Sequence, residues 1–136
     1  VALGLFCVFQ TEKTNPEHRG HVSLKLAGLI PLVGAVRLLA LREGVEETST
    51  LARVQALRQK GVLVEQERDA LTAAFIELTD LLFRQQLADY RIGRKVSYFI
   101  DPNALTKRRR LDLIRALRAI DAVRKRVRME FTAQVF

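Results

Sequence analysis

Residues 65–92 read EQERDALTAAFIELTDLLFRQQLADYRI, and their reading decides the fold. Leu71, Phe75, Leu78 and Leu82 recur at the spacing of one helix face. Neither proline nor glycine interrupts the run. Glu65, Glu67 and Asp69 stand in the first turn, where acidic groups complement the positive end of the helix macrodipole. Gly93 follows and stops the helix, because glycine accepts the left-handed conformation of a C-terminal cap. Such a helix is about 40 Å long at about 1.5 Å per residue. Its apolar face needs partners of similar length, which points to packed helices.

Working outward, residues 30–43 form the first helix, with Pro31 in its first turn, where the missing N–H costs nothing. Gly44 ends it, and residues 45–49 are a polar loop. Ser49 or Thr50 caps a second helix that runs to about Lys60 and stops at Gly61. Beyond Gly93, residues 94–103 read as a loop. A last helix starts near residues 103–106 and runs to about Phe131. Upstream, residues 11–20 (TEKTNPEHRG) are a loop, and Val22, Leu24 and Leu26 alternate like a short extended stretch. Residues 1–10 are apolar and β-like, either a strand or the tail of a preceding element. The expected fold is all-α: one antiparallel bundle of about four main helices, with an extended or irregular N-terminal segment. With no repeat or linker, residues 1–136 are expected to form a single domain. The chain begins at Val1 and its one methionine is Met129, so it is expected to be the C-terminal part of a larger multidomain protein.

The apolar faces carry polar intrusions. On the first helix, Arg37 interrupts a stripe of Val33, Val36 and Ala40. On the third, the stripe continues as Gln85 and Asp89. On the last, a step of about 100° per residue puts Arg124 inside the stripe of Leu113, Leu117, Ile120, Val127 and Phe131. Buried polar groups need partners or water. Two readings stand. Arg37 or Arg124 pairs with Asp89, or snorkels past the core edge. Alternatively, a polar cleft gathers the guanidinium groups and Gln85 around an anionic ligand, since arginine's fork suits phosphate.

Formal net charge is +8, which favours anionic partners. The charge is densest from Lys107-Arg108-Arg109-Arg110 to Arg128. There the arginines encircle the helix, stacking aromatics are few and tryptophan is absent, so nucleic acid is a disfavoured partner. Cys7 is the one cysteine; it excludes an internal disulfide and fits a small core residue in a reducing compartment. The longest apolar run, residues 28–41, is broken by Pro31 and Arg37, so no membrane span is expected. No Gly-rich phosphate loop is present. His18 and His21 lack a third metal ligand. Ser23, Ser49 and Ser97 lack a nucleophile-elbow setting. No catalytic residue, metal site or resident cofactor is expected in this chain.

Four stretches carry a resemblance: residues 23–41 (SLKLAGLIPLVGAVRLLAL), 48–57 (TSTLARVQAL), 83–87 (FRQQL) and 100–111 (IDPNALTKRRRL). In this order and spacing they resemble a bacterial family described as nucleotidyltransferase substrate-binding domains. The resemblance implies a helical accessory domain that follows a catalytic domain like that of the uridylyltransferases acting on the signalling protein PII. CBS and cyclic-nucleotide-binding modules are implied further upstream, in a cytoplasmic signal-transduction protein. The catalytic domain would use magnesium and a nucleoside triphosphate, and this chain would help hold the nucleotide or a protein acceptor. Lys25, Arg37, Arg53 and Gln86 match the family's recurring polar positions. Gly34 and Ser23 stand where the family usually has aspartates. With Gln85, Asp89 and Arg124 from the face reading, those four form the expected substrate-binding set. A structural or dimerisation module is the rival reading, with a second copy of the chain as its partner.

Overall fold

The computed structural model describes residues 11–133; the apolar segment 1–10 and Cys7 lie outside them. Four α-helices make the body: α1 (Ile30–Arg42), α2 (Thr50–Gln59), α3 (Glu65–Arg91) and α4 (Lys107–Ala133). A two-stranded antiparallel ribbon joins β1 (Val22–Ser23) to β2 (Phe99–Ile100), pairing Val22 with Ile100 and Ser23 with Phe99. The mostly helical fold is as expected. No helix among the described residues is long and apolar enough to cross a membrane.

Local chemistry sets the helix ends. The Ser49 hydroxyl accepts the Ala52 N–H at 3.2 Å and caps α2. At the start of α3, the Val64 N–H donates to the Glu67 carboxylate at 3.0 Å. Thr106 Oγ1 accepts the Arg109 N–H at 3.2 Å at the start of α4. The first three helices end alike. The N–H groups of Val45, Val62 and Arg94 reach back to the carbonyls of Ala40, Leu57 and Asp89, at 2.8, 3.0 and 2.9 Å. Gly44, Gly61 and Gly93 provide the positive φ this closure demands.

α1 is entered through a widened turn, Lys25–Leu29, in which the Leu29 N–H bonds the Leu24 carbonyl at 3.0 Å, five residues back. Ser23 Oγ accepts the Leu26 N–H at 3.0 Å. The extended stretch therefore ends at Ser23, and Leu26 lies exposed in the turn. This turn packs against α3 so closely that a Cβ on Gly28 would stand 2.7 Å from Leu78 Cδ1. The expected loop 94–103 likewise contains β2 and a tight helical turn, Pro102–Ala104.

Ion pairs give the helix directions. Arg109 meets Asp80 at 2.8 Å and Arg126 meets Glu67 at 2.9 Å, so α4 runs antiparallel to α3. Arg42 reaches Glu130 at 2.7 Å, which places the end of α1 beside the end of α4. One apolar cluster joins all four helices and the ribbon, with Val22, Leu39, Leu57, Leu78, Ile100 and Leu113 among its members.

The buried faces correct two sequence readings. On α1 the buried residues are Leu32, Ala35, Val36, Leu39 and Ala40, and Arg37 is exposed. On α4 they are Leu113, Ala116, Leu117, Ile120, Val123 and Val127, and Arg124 is exposed. Residues 113, 120 and 127 repeat every seven positions, as do 116 and 123. A seven-residue repeat drifts about 20° per heptad from an ideal helix. By the second heptad, that drift turns Val123 inward and Arg124 outward. On α3 the buried row Leu71, Ala74, Leu78, Leu81 does continue through half-buried Gln85 to buried Asp89.

Candidate functional site

Asp89 is 2% exposed at the end of α3, and its expected arginine partners are not there. The carboxylate accepts instead from Gln85 Nε2 at 3.0 Å and from the Ser97 N–H at 3.2 Å. Ser97 Oγ stands at 3.5 Å. Burying a carboxylate is costly unless donors replace its water. These donors fold residues 94–97 back onto the helix end, and the Asp89 carbonyl accepts from Arg94 in the same closure.

That anchoring delivers Tyr98 to the widened turn. The Tyr98 carbonyl accepts the Leu24 N–H at 2.9 Å. The ammonium of Lys25 lies 5.5 Å from the Tyr98 ring centroid, within cation–π range. Tyr98 stacks on Phe99 at 5.0 Å, and Phe99 on His18 at 4.2 Å with 12° between the rings. His18 Nδ1 is 3.4 Å from His21 Nδ1. The result is an aromatic row with a lysine at one end, beside the ribbon. Sequence reasoning missed the row; the only hint was Tyr98-Phe99-Ile100, β-type chemistry inside a presumed loop.

Of the seven residues expected to bind substrate, Lys25, Gln85 and Asp89 are linked through Ser97 and Tyr98. Gln86 is half-buried, one residue beyond Gln85. The other three lie elsewhere. Arg53 Nε donates to the Glu47 carbonyl at 2.7 Å and pins the connection between α1 and α2. Arg37 and Arg124 are exposed and make no ion pair with another described residue. Neither arginine is bonded to Gln85 or Asp89.

A second polar group lies between α3 and α4. Arg109 sits 2.8 Å from Asp80 and 3.5 Å from Glu77. Hydrogen bonds from Arg109, then Arg84, hold the Asp80 carboxyl below its usual range. Burial raises that of Glu77, opposed by the Arg109 charge. Glu77 Oε1 is buried without a hydrogen bond. It lines a shallow hollow of about 430 Å³ floored by Ala70, Ala73 and Ala74 and edged by Asp112 and Arg115. Further along, Arg126 joins Glu67, Glu130 and the Val62 carbonyl at 2.9, 2.9 and 2.6 Å. Glu77 and Arg126 escaped sequence reasoning because they flank the core row. Their signal is their place beside the buried Leu78 and Val127.

No group of three or more His, Cys, Asp and Glu side chains converges as a metal site among the described residues. The buried Asp89 carboxylate already receives protein donors, so the set present does not fit a resident magnesium ion, which requires several oxygen ligands. No curated protein and no solved structure matches the chain. Residues 1–131 do match the family described as "putative nucleotidyltransferase substrate binding domain", and the chain belongs to that family.

Proposed function

We propose that this chain is one accessory domain working beside a nucleotidyltransferase catalytic domain, and that it positions nucleotide or acceptor substrate through the corner built on Lys25, Tyr98 and Asp89. The observation that carries this reading is the Lys25–Tyr98 pair. It joins an exposed cation to an aromatic face beside a backbone held rigid by Asp89. Arg94 and Lys95, both exposed, add positive charge on the segment that Asp89 anchors. An anionic group would meet these cations while a base or apolar side chain rests on the ring. The contribution is orientation and charge neutralisation, not bond-making. Magnesium and the reacting end of a nucleoside triphosphate belong to the catalytic partner in this reading, and no step of that chemistry runs through the residues described here.

The test is thermal unfolding of the chain with each nucleoside triphosphate, with and without magnesium, beside Lys25→Ala. A ligand at a hundred times its Kd stabilises the native state by about 2.7 kcal/mol. A rise in Tm that Lys25→Ala abolishes supports the corner. A rise that survives Lys25→Ala, or no rise with any nucleotide, refutes nucleotide binding there.

A further inference from the structure

α3 carries a second apolar row on its outer side. Ile76, Phe83, Leu87 and Tyr90 are 54%, 66%, 36% and 75% exposed. Their spacing of seven, four and three residues puts them on one face of the helix. It is the spacing by which one helix offers a seam to another. The inner row of α3 already fills the core, so this outer row serves nothing inside the described fold. Scattered surface leucines need no explanation, but a continuous row at heptad spacing does.

The flank of the row states the chemistry of what covers it. Arg84 and Arg91 directly follow Phe83 and Tyr90, and both are exposed. The acid at the equivalent place, Glu77, is engaged by Arg109. Arg84 shares Asp80 with Arg109. A second copy of the chain is a poor occupant. Antiparallel and centred on Phe83, it would set the two Arg84 side chains beside each other. In parallel, it would bring Thr79 and Gln86 to the arginines, with no carboxylate. Each copy also carries a net charge of +8.

We infer that the outer face of α3 docks an amphipathic helix of a partner, with apolar residues at heptad spacing and Asp or Glu along the side that meets Arg84 and Arg91. This surface is independent of the corner at Lys25 and Tyr98. Desolvated apolar contacts at Phe83 and Tyr90 supply affinity, and the arginines choose the partner's flank.

The experiment uses the whole chain and two fluorescent three-heptad peptides. Both have leucine at the seam, with glutamate at the flanks in one and lysine in the other. Anisotropy is measured with wild type, Phe83→Glu and Tyr90→Glu, each checked for an unchanged circular dichroism melt. The glutamate peptide is expected to bind at least about tenfold more tightly than the lysine peptide, and whichever variant keeps its melt is expected to lose that binding about tenfold or more. Equal binding of both peptides, binding of neither, or variants that bind like wild type overturn the inference. A dimer in sedimentation that Phe83→Glu dissolves also overturns it, by making the face a self-interface.

Discussion

Replacing Asp89 by alanine removes the acceptor that holds residues 94–97 to the end of α3. Two donors lose their partner: Gln85 Nε2 at 3.0 Å and the Ser97 N–H at 3.2 Å. An orphaned buried donor costs about 1–3 kcal/mol. Half-buried Gln85 can turn toward water and falls at the low end; the Ser97 N–H has less freedom. Against this, a carboxylate in the last turn opposes the helix macrodipole, and removing it returns about 0.3–1 kcal/mol. The balance is a loss of about 2–3 kcal/mol, or about 6–12 °C in Tm for a chain of this size. Asp89→Asn is the informative companion. Its oxygen can still accept from Ser97, and its amide can donate to Gln85 once that side chain turns over, so the loss stays near 1 kcal/mol or below. Urea unfolding followed by circular dichroism gives both values, and amide exchange at Ser97 reports the anchor itself. Asp89→Ala within about 0.5 kcal/mol of wild type, or Asp89→Asn as damaging as Asp89→Ala, would refute the reasoning.

One substitution should act with opposite signs at two glycines. Gly28→Ala drives a methyl to 2.7 Å from Leu78 Cδ1 and should cost about 1–3 kcal/mol, whereas Gly34→Ala meets open space within α1 and should gain about 0.5–1 kcal/mol; denaturant midpoints of equal sign would contradict the packing described. Burial raises the Glu77 carboxyl above its unfolded value of 4.5, more than Arg109 lowers it. The native state then binds the proton more tightly than the unfolded chain, so this group's contribution falls as pH rises through the folded value. Glu77→Gln should therefore be the more stable protein at pH 7, with the advantage fading below the unfolded value; a variant less stable at pH 7 would assign the larger effect to the Arg109 attraction.

The helix ends were legible because caps are local. Ser49, Gly44, Gly61 and Gly93 announce them within a few residues, and each acts as its type suggests. Asp89 and Gln85 were legible for a different reason, since polar residues in a core row demand an explanation. The loop partner of Asp89 was not, because that donor is the Ser97 backbone N–H, and every residue but proline carries one. Arg37 was misread because the stripe was drawn through Val33, whereas the buried row of α1 runs through Leu32, Ala35, Val36 and Leu39; Arg124 was misread through the assumed period. A step of 100° suits a straight helix, whereas the long pair packs on a seven-residue repeat and turns Val123 in. Only half of the ribbon was legible: Val22 falls in the short extended stretch, whereas the two residues of β2 leave too little alternation to detect inside a loop.

That ribbon has a consequence in time. Val22 and Ile100 meet across most of the chain, so their pairing carries a large loop-closure entropy. Two residues per strand cannot hold a hairpin alone. The ribbon is therefore expected to close only after α1 and α3 have brought its halves together. Lys25 follows one strand and Tyr98 precedes the other, so a ligand held at the proposed corner would touch both halves of the ribbon and favour its closed form. On the proposed function, residence at the corner and opening of the ribbon would share one clock.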